Sequence, residues 1–189
     1  MRVISGTAKG TKLIAPVGLK TRPTGDRKKE DLFNILAQGI KNKVILDLYC
    51  GSGAIGIEAL SRGAAKAYFV DSGDKAIESL KANLQKTKLS ENAYIINKTV
   101  KKAMKLLINI RFDYIFMDPP YSGNEINTTI GLIPDKLNEC GIVIIECPSG
   151  YIIPDIPQLD IYRIKEYSNM KFVFMKRDER LGCNISGEF

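Results

Sequence analysis

Five short apolar runs alternate with helix-period segments between residues 44 and 146, and this alternation restricts the fold more than any other feature. The runs lie at 44–48, 67–71, 94–96, 112–117 and 141–146. Between them, apolar residues recur three and four positions apart: Ile57 and Leu60, then Ile77, Leu80 and Leu84, then Met104 and Leu107, then Ile130, Ile133 and Leu137. Strands that each return through a helix pair in parallel, and helices then cover both faces of the sheet. The first of these helices is expected over 56–62, stopped by Gly63. Asp74 is expected to N-cap the second, and Pro134 to break the last. Beyond 146 the rhythm changes. Residues 159–166 and 171–176 read as strands with a connection of only four residues, an antiparallel hairpin at the sheet edge.

A helix over 27–40, with Leu32, Phe33, Leu36 and Ile40 on its apolar side, leads into the first strand. Residues 1–26 read as a basic appendage, a hairpin and then a loop kept irregular by Pro23 and Gly25. Residues 27–176 form the main domain, and 177–189 a mobile polar tail. The chain of 189 residues carries 28 Lys and Arg against 21 Asp and Glu, a formal net charge of +7. Residues 1–30 hold eight of those cations (Arg2, Lys9, Lys12, Lys20, Arg22, Arg27, Lys28, Lys29) and two acids, an excess of six. Positive charge is therefore concentrated at one end, where a polyanion would be attracted. By itself such a charge run is as well explained by a solvated face.

Composition excludes several classes. No apolar run approaches the roughly 20 residues that span a bilayer, and Met1 to Gly6 lacks a signal-peptide core. There is no histidine, and Cys50, Cys140, Cys147 and Cys183 lack metal spacing, so a zinc site is not expected and the thiols read as reduced. The expectation is a cytoplasmic protein without metal or membrane partner, and a monomer.

Two motifs carry chemistry. Gly51-Ser52-Gly53-Ala54-Ile55-Gly56 stands between the first strand and a helix, with Asp71 twenty residues past Gly51. This pattern matches the dinucleotide fingerprint of a nicotinamide dehydrogenase. Asp47 at the strand tip argues against it, because a carboxylate repels a pyrophosphate at the helix N-terminus. The same carboxylate suits an ammonium group such as that of S-adenosylmethionine. Gly51 and Gly53 would let backbone approach the ligand, and Asp71 would accept both ribose hydroxyls. Tyr49 and Ser72 flank these positions and complete the candidate donor site. The plain alternative is a turn whose glycines serve only the turn.

The second motif, Asp118-Pro119-Pro120-Tyr121, follows the fourth strand. An exocyclic amino group on a purine is a poor nucleophile, since its lone pair is delocalised into the ring. Acceptors on its two hydrogens, the Asp118 carboxylate and the Pro119 carbonyl, would push that lone pair toward a methyl sulfonium. The prolines stiffen the backbone and remove N–H donors. Tyr121 offers a flat surface for stacking the base. A rigid Asp-Pro-Pro turn without chemistry is the alternative.

These residues bring the chain close to a known family. Over about residues 1–176 it resembles the bacterial 16S ribosomal RNA guanine-N2 methyltransferases. The likeness runs through Arg2-Val-Ile-Ser-Gly6, Lys9-Gly10, Lys12-Leu13, Arg22-Pro-Thr-Gly-Asp-Arg27 with Glu30 and Leu32-Phe33-Asn34, Leu46 to Gly53, Glu58-Ala-Leu-Ser-Arg62 and Asp118 to Tyr121. The glycine loop and Asp-Pro-Pro-Tyr belong to many amino-methyltransferases, whereas the Arg-Pro-Thr-x-Asp-Arg segment is much more specific. The resemblance implies a Rossmann-like α/β fold with a seven-stranded, mostly parallel sheet and S-adenosylmethionine as donor. It also implies a guanine in ribosomal RNA, free or in an assembling small subunit, as acceptor. It places Lys9, Lys12, Arg22, Thr24, Asp26 and Arg27 near the RNA. Thr99 stands where the family often has an acid near the adenine amino group. Rival readings are a DNA adenine-N6 methyltransferase, a nicotinamide dehydrogenase and a non-catalytic RNA-binding protein.

Overall fold

The computed structural model describes residues 1–16, 25–120 and 125–177. Its strands fall into two compact units, residues 1–108 and 109–189. In the first unit β1 (Val44–Leu48), β2 (Lys66–Asp71) and β3 (Ala93–Asn97) pair in parallel, in the order β3-β2-β1. The register sets Asp47 opposite Phe69 and Asp71 opposite Asn97, so the acidic positions share the C-terminal end of the strands. Helices α1 (Asp26–Leu36), α2 (Ala54–Ser61), α3 (Asp74–Thr87) and α4 (Val100–Leu106) belong to this unit. In the second unit β4 (Phe112–Met117) and β5 (Leu137–Pro148) are parallel. The hairpin of β6 (Leu159–Glu166) and β7 (Met170–Arg177) adds antiparallel to β5, giving β4-β5-β7-β6. Seven strands, the helices between them and the closing antiparallel pair are the α/β class expected.

Several boundaries differ from the sequence expectation, each for a local reason. Helix α2 starts at Ala54 rather than 56, because Gly53, in the left-handed conformation, already serves as its N-cap. Asp74 does not cap α3. Gly73 does, and the Asp74 carboxylate instead accepts a 2.8 Å bond from Asn97 Nδ2 at the end of β3. Helix α1 ends at Leu36, and a 3₁₀ turn over Ala37–Ile40 still buries Ile40. Helix α5 (Glu125–Ile130) ends before Ile133, and Leu137 opens β5 instead of extending a helical stripe. Pro134 begins a separate 3₁₀ turn there, as a residue without an N–H donor should.

Residues 1–16 are tied into the first unit by buried polar contacts. Their antiparallel turn is held by Val3 N–H to Thr11 C=O at 3.0 Å and Gly10 N–H to Val3 C=O at 2.8 Å. Val3, Ala8 and Leu13 are buried. Glu58, in the middle of α2, collects four donors: the N–H groups of Ile4 (2.8 Å) and Ser5 (3.0 Å), Lys29 Nζ (2.8 Å) and Arg62 Nε (2.8 Å). Both Lys29 and Glu58 have 0% exposure, and Lys29 Nζ also donates to the Arg2 carbonyl at 2.6 Å. Ser61 adds a second tie, accepting from Ala8 N–H at 3.0 Å and donating to the Ser5 carbonyl at 2.6 Å. At Gly6 a Cβ would lie 1.7 Å from the Ser61 carbonyl oxygen, so any side chain there would force the turn off α2.

Burial opposes ionisation of Glu58, but the Ile4 N–H, Lys29 and Arg62 outweigh it and hold its carboxyl below the ordinary glutamate value. Its contribution to stability is therefore complete above that ordinary value and lost as pH falls through the lowered one. Removing one partner of a buried pair strands the other charge, at a cost of about 3–5 kcal/mol. Lys29→Met should lower unfolding free energy by that amount in urea titrations at pH 7, with a smaller difference at acid pH where Glu58 is protonated. Equal stability of the two proteins at pH 7 would refute this account of the pair.

Candidate active site

The C-terminal ends of β1 and β2 bring Asp47, Tyr49, Gly51, Gly53, Asp71 and Ser72 together. Asp47 is buried, and its Oδ2 accepts the Gly56 N–H at 2.9 Å. Gly56 lies in the first turn of α2, where N–H groups lack intrahelical partners, so Asp47 caps the helix from the neighbouring strand. Burial is the main force on its titration and raises it to about 7. The Gly56 bond opposes that rise and the charge of Asp71 adds to it. An N–H that a dinucleotide phosphate would use is thus already taken by an acid.

Asp71 is half-buried and fixed by two backbone donors, Gly51 N–H to Oδ2 at 2.9 Å and Gly73 N–H to Oδ1 at 2.8 Å. Each carboxylate oxygen keeps a lone pair for a further donor such as a hydroxyl. The two glycines of the loop do different work. Gly51 has φ +53° and nothing within 4 Å of where a Cβ would sit, so its backbone borders open space. Gly53, at φ +77°, turns inward, and a Cβ there would lie 2.3 Å from Leu80 Cδ1. Its missing side chain makes room for the loop to pack onto α3. Gly56 is similar, with Phe69 at 2.3 Å from a built Cβ. Tyr49 holds φ +57°, a conformation uncommon for a non-glycine residue and frequent at functional turns.

Ser72 is exposed, and Thr99, also exposed, stands two residues past β3 as the residue before α4. Cys50 lies in the same loop, buried. Burial, then the charges of Asp47 and Asp71, push its thiol well above the usual range, so it is an inert filler rather than a nucleophile. Among the described residues no group of three or more Cys, Asp or Glu side chains is placed to hold a metal ion. No helix among them is long and apolar enough to cross a membrane.

In the second unit Asp118 follows β4 directly and is exposed, Pro119 is buried and Pro120 exposed. Since β4 and β5 are parallel, Asp118 stands at the C-terminal edge of that pair, where α/β proteins carry their chemistry. Tyr121 lies outside the described residues, as do Arg22 and Thr24. Lys9, Lys12 and Arg27 are exposed. Arg2 links two of these positions: it bridges Lys12, while Asp26 accepts its N–H at 3.0 Å and pairs with its Nε at 3.5 Å.

Sequence reading passed over Glu58, Lys29 and Asn83, the buried polar groups that hold the elements of this unit together. One signal was present: Glu58 sits between Ile57 and Ala59 in a helix of otherwise small and apolar residues. Such a charge demands a buried partner.

With this geometry in hand, comparison with known proteins is specific. Residues 1–176 match the family model described as conserved hypothetical protein 95. The Haemophilus influenzae protein named ribosomal RNA small subunit methyltransferase D is 41% identical over 135 residues, 70% of each chain. Its namesake from Escherichia coli K12 is 35% identical over 161 residues, 83% of this chain and 79% of that one. Among solved structures, the Escherichia coli protein yhhF, described as a methyltransferase, superposes with a TM-score of 0.82 at 33% identity. That match covers 94% of this chain and 98% of the other.

The buried charge of Asp47 has a cost that can be measured. Its acidity is weakened on folding, so apo stability should fall as pH rises from about 4 to about 7 and then level off. Asp47→Asn keeps an acceptor for Gly56 but cannot ionise. At roughly 1.4 kcal/mol per pH unit of displacement, it should be more stable than the parent by about 2–4 kcal/mol at pH 8 and no different near pH 4. Urea titrations at the two pH values decide. A variant less stable at pH 8 would contradict the assignment.

Proposed function

Because this chain belongs to the conserved hypothetical protein 95 family, alongside the small-subunit ribosomal RNA methyltransferases D, we propose that it methylates the exocyclic N2 of one guanine in 16S ribosomal RNA with S-adenosylmethionine as donor. The acceptor would be the RNA alone or in an assembling small ribosomal subunit. The observation that carries the donor assignment is the pair of acids at the ends of β1 and β2. Asp47 blocks the helix N-terminus against a phosphate, and Asp71 is held by Gly51 and Gly73 in a pose that leaves acceptor capacity for ribose hydroxyls.

Bound donor supplies an electrophilic methyl carbon on a sulfonium. Asp47 attracts its ammonium group, Asp71 its ribose, and the open side of Gly51 lets the ligand lie against backbone. Tyr49, Ser72 and Thr99 border the same space. Asp118 and the Pro119 carbonyl accept the two amino hydrogens of the guanine and turn its nitrogen lone pair outward, while Tyr121 stacks on the ring. The base must leave its stack to reach them. Methyl transfer then asks mainly for alignment, and the proton leaves after the nitrogen has become cationic, so no histidine is required. Lys9, Lys12, Arg22 and Arg27 contact phosphates, with Thr24 and Asp26 in the same segment.

Asp118→Asn keeps the shape but turns an acceptor into a group that also presents N–H. It should slow single-turnover transfer of labelled methyl by about a hundred- to thousandfold, with donor and RNA affinities little changed. Digestion of the labelled RNA should yield N2-methylguanosine. Label in adenine, or a wild-type rate in Asp118→Asn, would sink the reading.

Donor affinity should also report Asp47, because a cationic ligand favours its ionised form. With an apo value of about 7, calorimetry should find affinity rising on the order of tenfold between pH 5.5 and pH 7, where an α-ammonium remains charged. The rise should vanish in Asp47→Asn. Lys9→Ala and Lys12→Ala should each reduce the salt dependence of RNA binding by about 0.7–0.9 in logarithmic slope. Unaltered slopes would make that charge a solvated face.

A further inference from the structure

Asn83 lies on α3, far in sequence from every motif above, and is fully buried. Its side chain bonds to backbone atoms. Oδ1 accepts the Ile14 N–H at 2.7 Å, while Nδ2 donates to the Ile14 carbonyl at 2.9 Å and to the Ser52 carbonyl at 3.0 Å. The amide therefore pairs with Ile14 as a neighbouring strand would, and with its second amide hydrogen grips the peptide between Gly51 and Gly53. Lys86, one turn on, reinforces the contact by donating to the Lys12 carbonyl at 2.8 Å.

We infer that Asn83 is a positioning residue for the methyl donor. It fixes the Ser52 carbonyl, and with it the direction of the Gly51 N–H toward Asp71, using the basic N-terminal segment as its support. The inference rests on the donor reading given above and adds to it a residue that touches no ligand. The chemistry of the side chain is what the position needs. An aspartate would set a carboxylate oxygen against two carbonyls, and an apolar residue would leave the buried Ser52 carbonyl unpaired. The loop glycines are free to take other backbone conformations once that grip is lost. Donor recognition and the segment proposed to meet RNA thus share one side chain.

Ser61 provides the matched control: its side chain also ties the N-terminal segment to the unit, through Ala8 and Ser5, but at the far end of α2 from the glycine loop. Calorimetric titration of the full-length protein with S-adenosylmethionine should give at least tenfold weaker binding for Asn83→Ala and a change within twofold for Ser61→Ala. In steady-state methylation, Asn83→Ala should raise the donor KM about tenfold while kcat at saturating donor stays within threefold. A merely structural role would instead reduce kcat with the amount of folded protein and leave KM unchanged. Should Asn83→Ala not fold, Ile14→Pro serves: it removes the N–H that anchors Asn83 at an exposed position, and should weaken donor binding severalfold in a folded protein. Donor affinity within twofold of the parent in folded Asn83→Ala or Ile14→Pro, or equal weakening in Ser61→Ala, overturns the inference alone. A parent protein that binds no donor overturns the functional reading and this inference with it.

Discussion

One buried carboxylate organises the first unit. Glu58 is surrounded by donors from three separate stretches of chain, the Ile4–Ser5 backbone, Lys29 on α1 and Arg62 one turn along its own helix. Such a charge is tolerable only when every partner is in place, since desolvating it would otherwise cost several kcal/mol. The arrangement is therefore cooperative: α1, α2 and the opening turn assemble together. That fixes the far half of α2, and with it the helix start at Gly53, where the acids of the candidate site gather. A charge buried in the middle of a short helix thus steadies the geometry at its start.

The site itself uses backbone more than side chains. Gly51, Gly56 and Gly73 each donate an N–H to an aspartate, so the two acids are oriented before any ligand arrives. Orientation in advance lowers the entropy lost on binding and is one way a small loop achieves selectivity. Asp47 does two things at once. It satisfies an unpaired donor of α2, and it keeps negative potential where a phosphate-binding relative of this fold would keep positive.

The alternation of strands and helices was legible because periodicity records burial directly, and Phe112–Met117 was located to the residue. Boundaries were less so. The start of α2 depended on Gly53 adopting φ +77° against Leu80, and the end of α5 on where β5 began, both tertiary facts. Asp47 and Asp71 stood out by their place after apolar runs, but the leucine that fills the space beside Gly53 was not legible, because it comes from a separate helix. The importance of Lys29 was invisible in a run of cations, because a sequence does not say which lysine is buried. Asn83 was silent too: a single amide among polar helix residues gives no hint that it binds a segment 69 positions away. The resemblance to a methyltransferase family was legible from short strings, as the comparison at 35–41% identity agrees.

The long sequence separation of the N-terminal contacts has a consequence for biosynthesis. Ile14 leaves the ribosome well before Asn83, and Ile4 before Glu58, so the basic opening stretch emerges without its partners. At about 5–20 residues per second, the 69-residue delay lasts roughly 3–14 seconds. During that interval the strand-like segment and its cations are open to other contacts on the nascent chain or on nearby polyanions. Local closure of its turn, through Val3, Gly10 and Thr11, is available at once because those residues are neighbours. The turn can thus form early and wait, first for α2, whose Glu58 and Ser61 hold it, and then for α3, whose Asn83 holds Ile14.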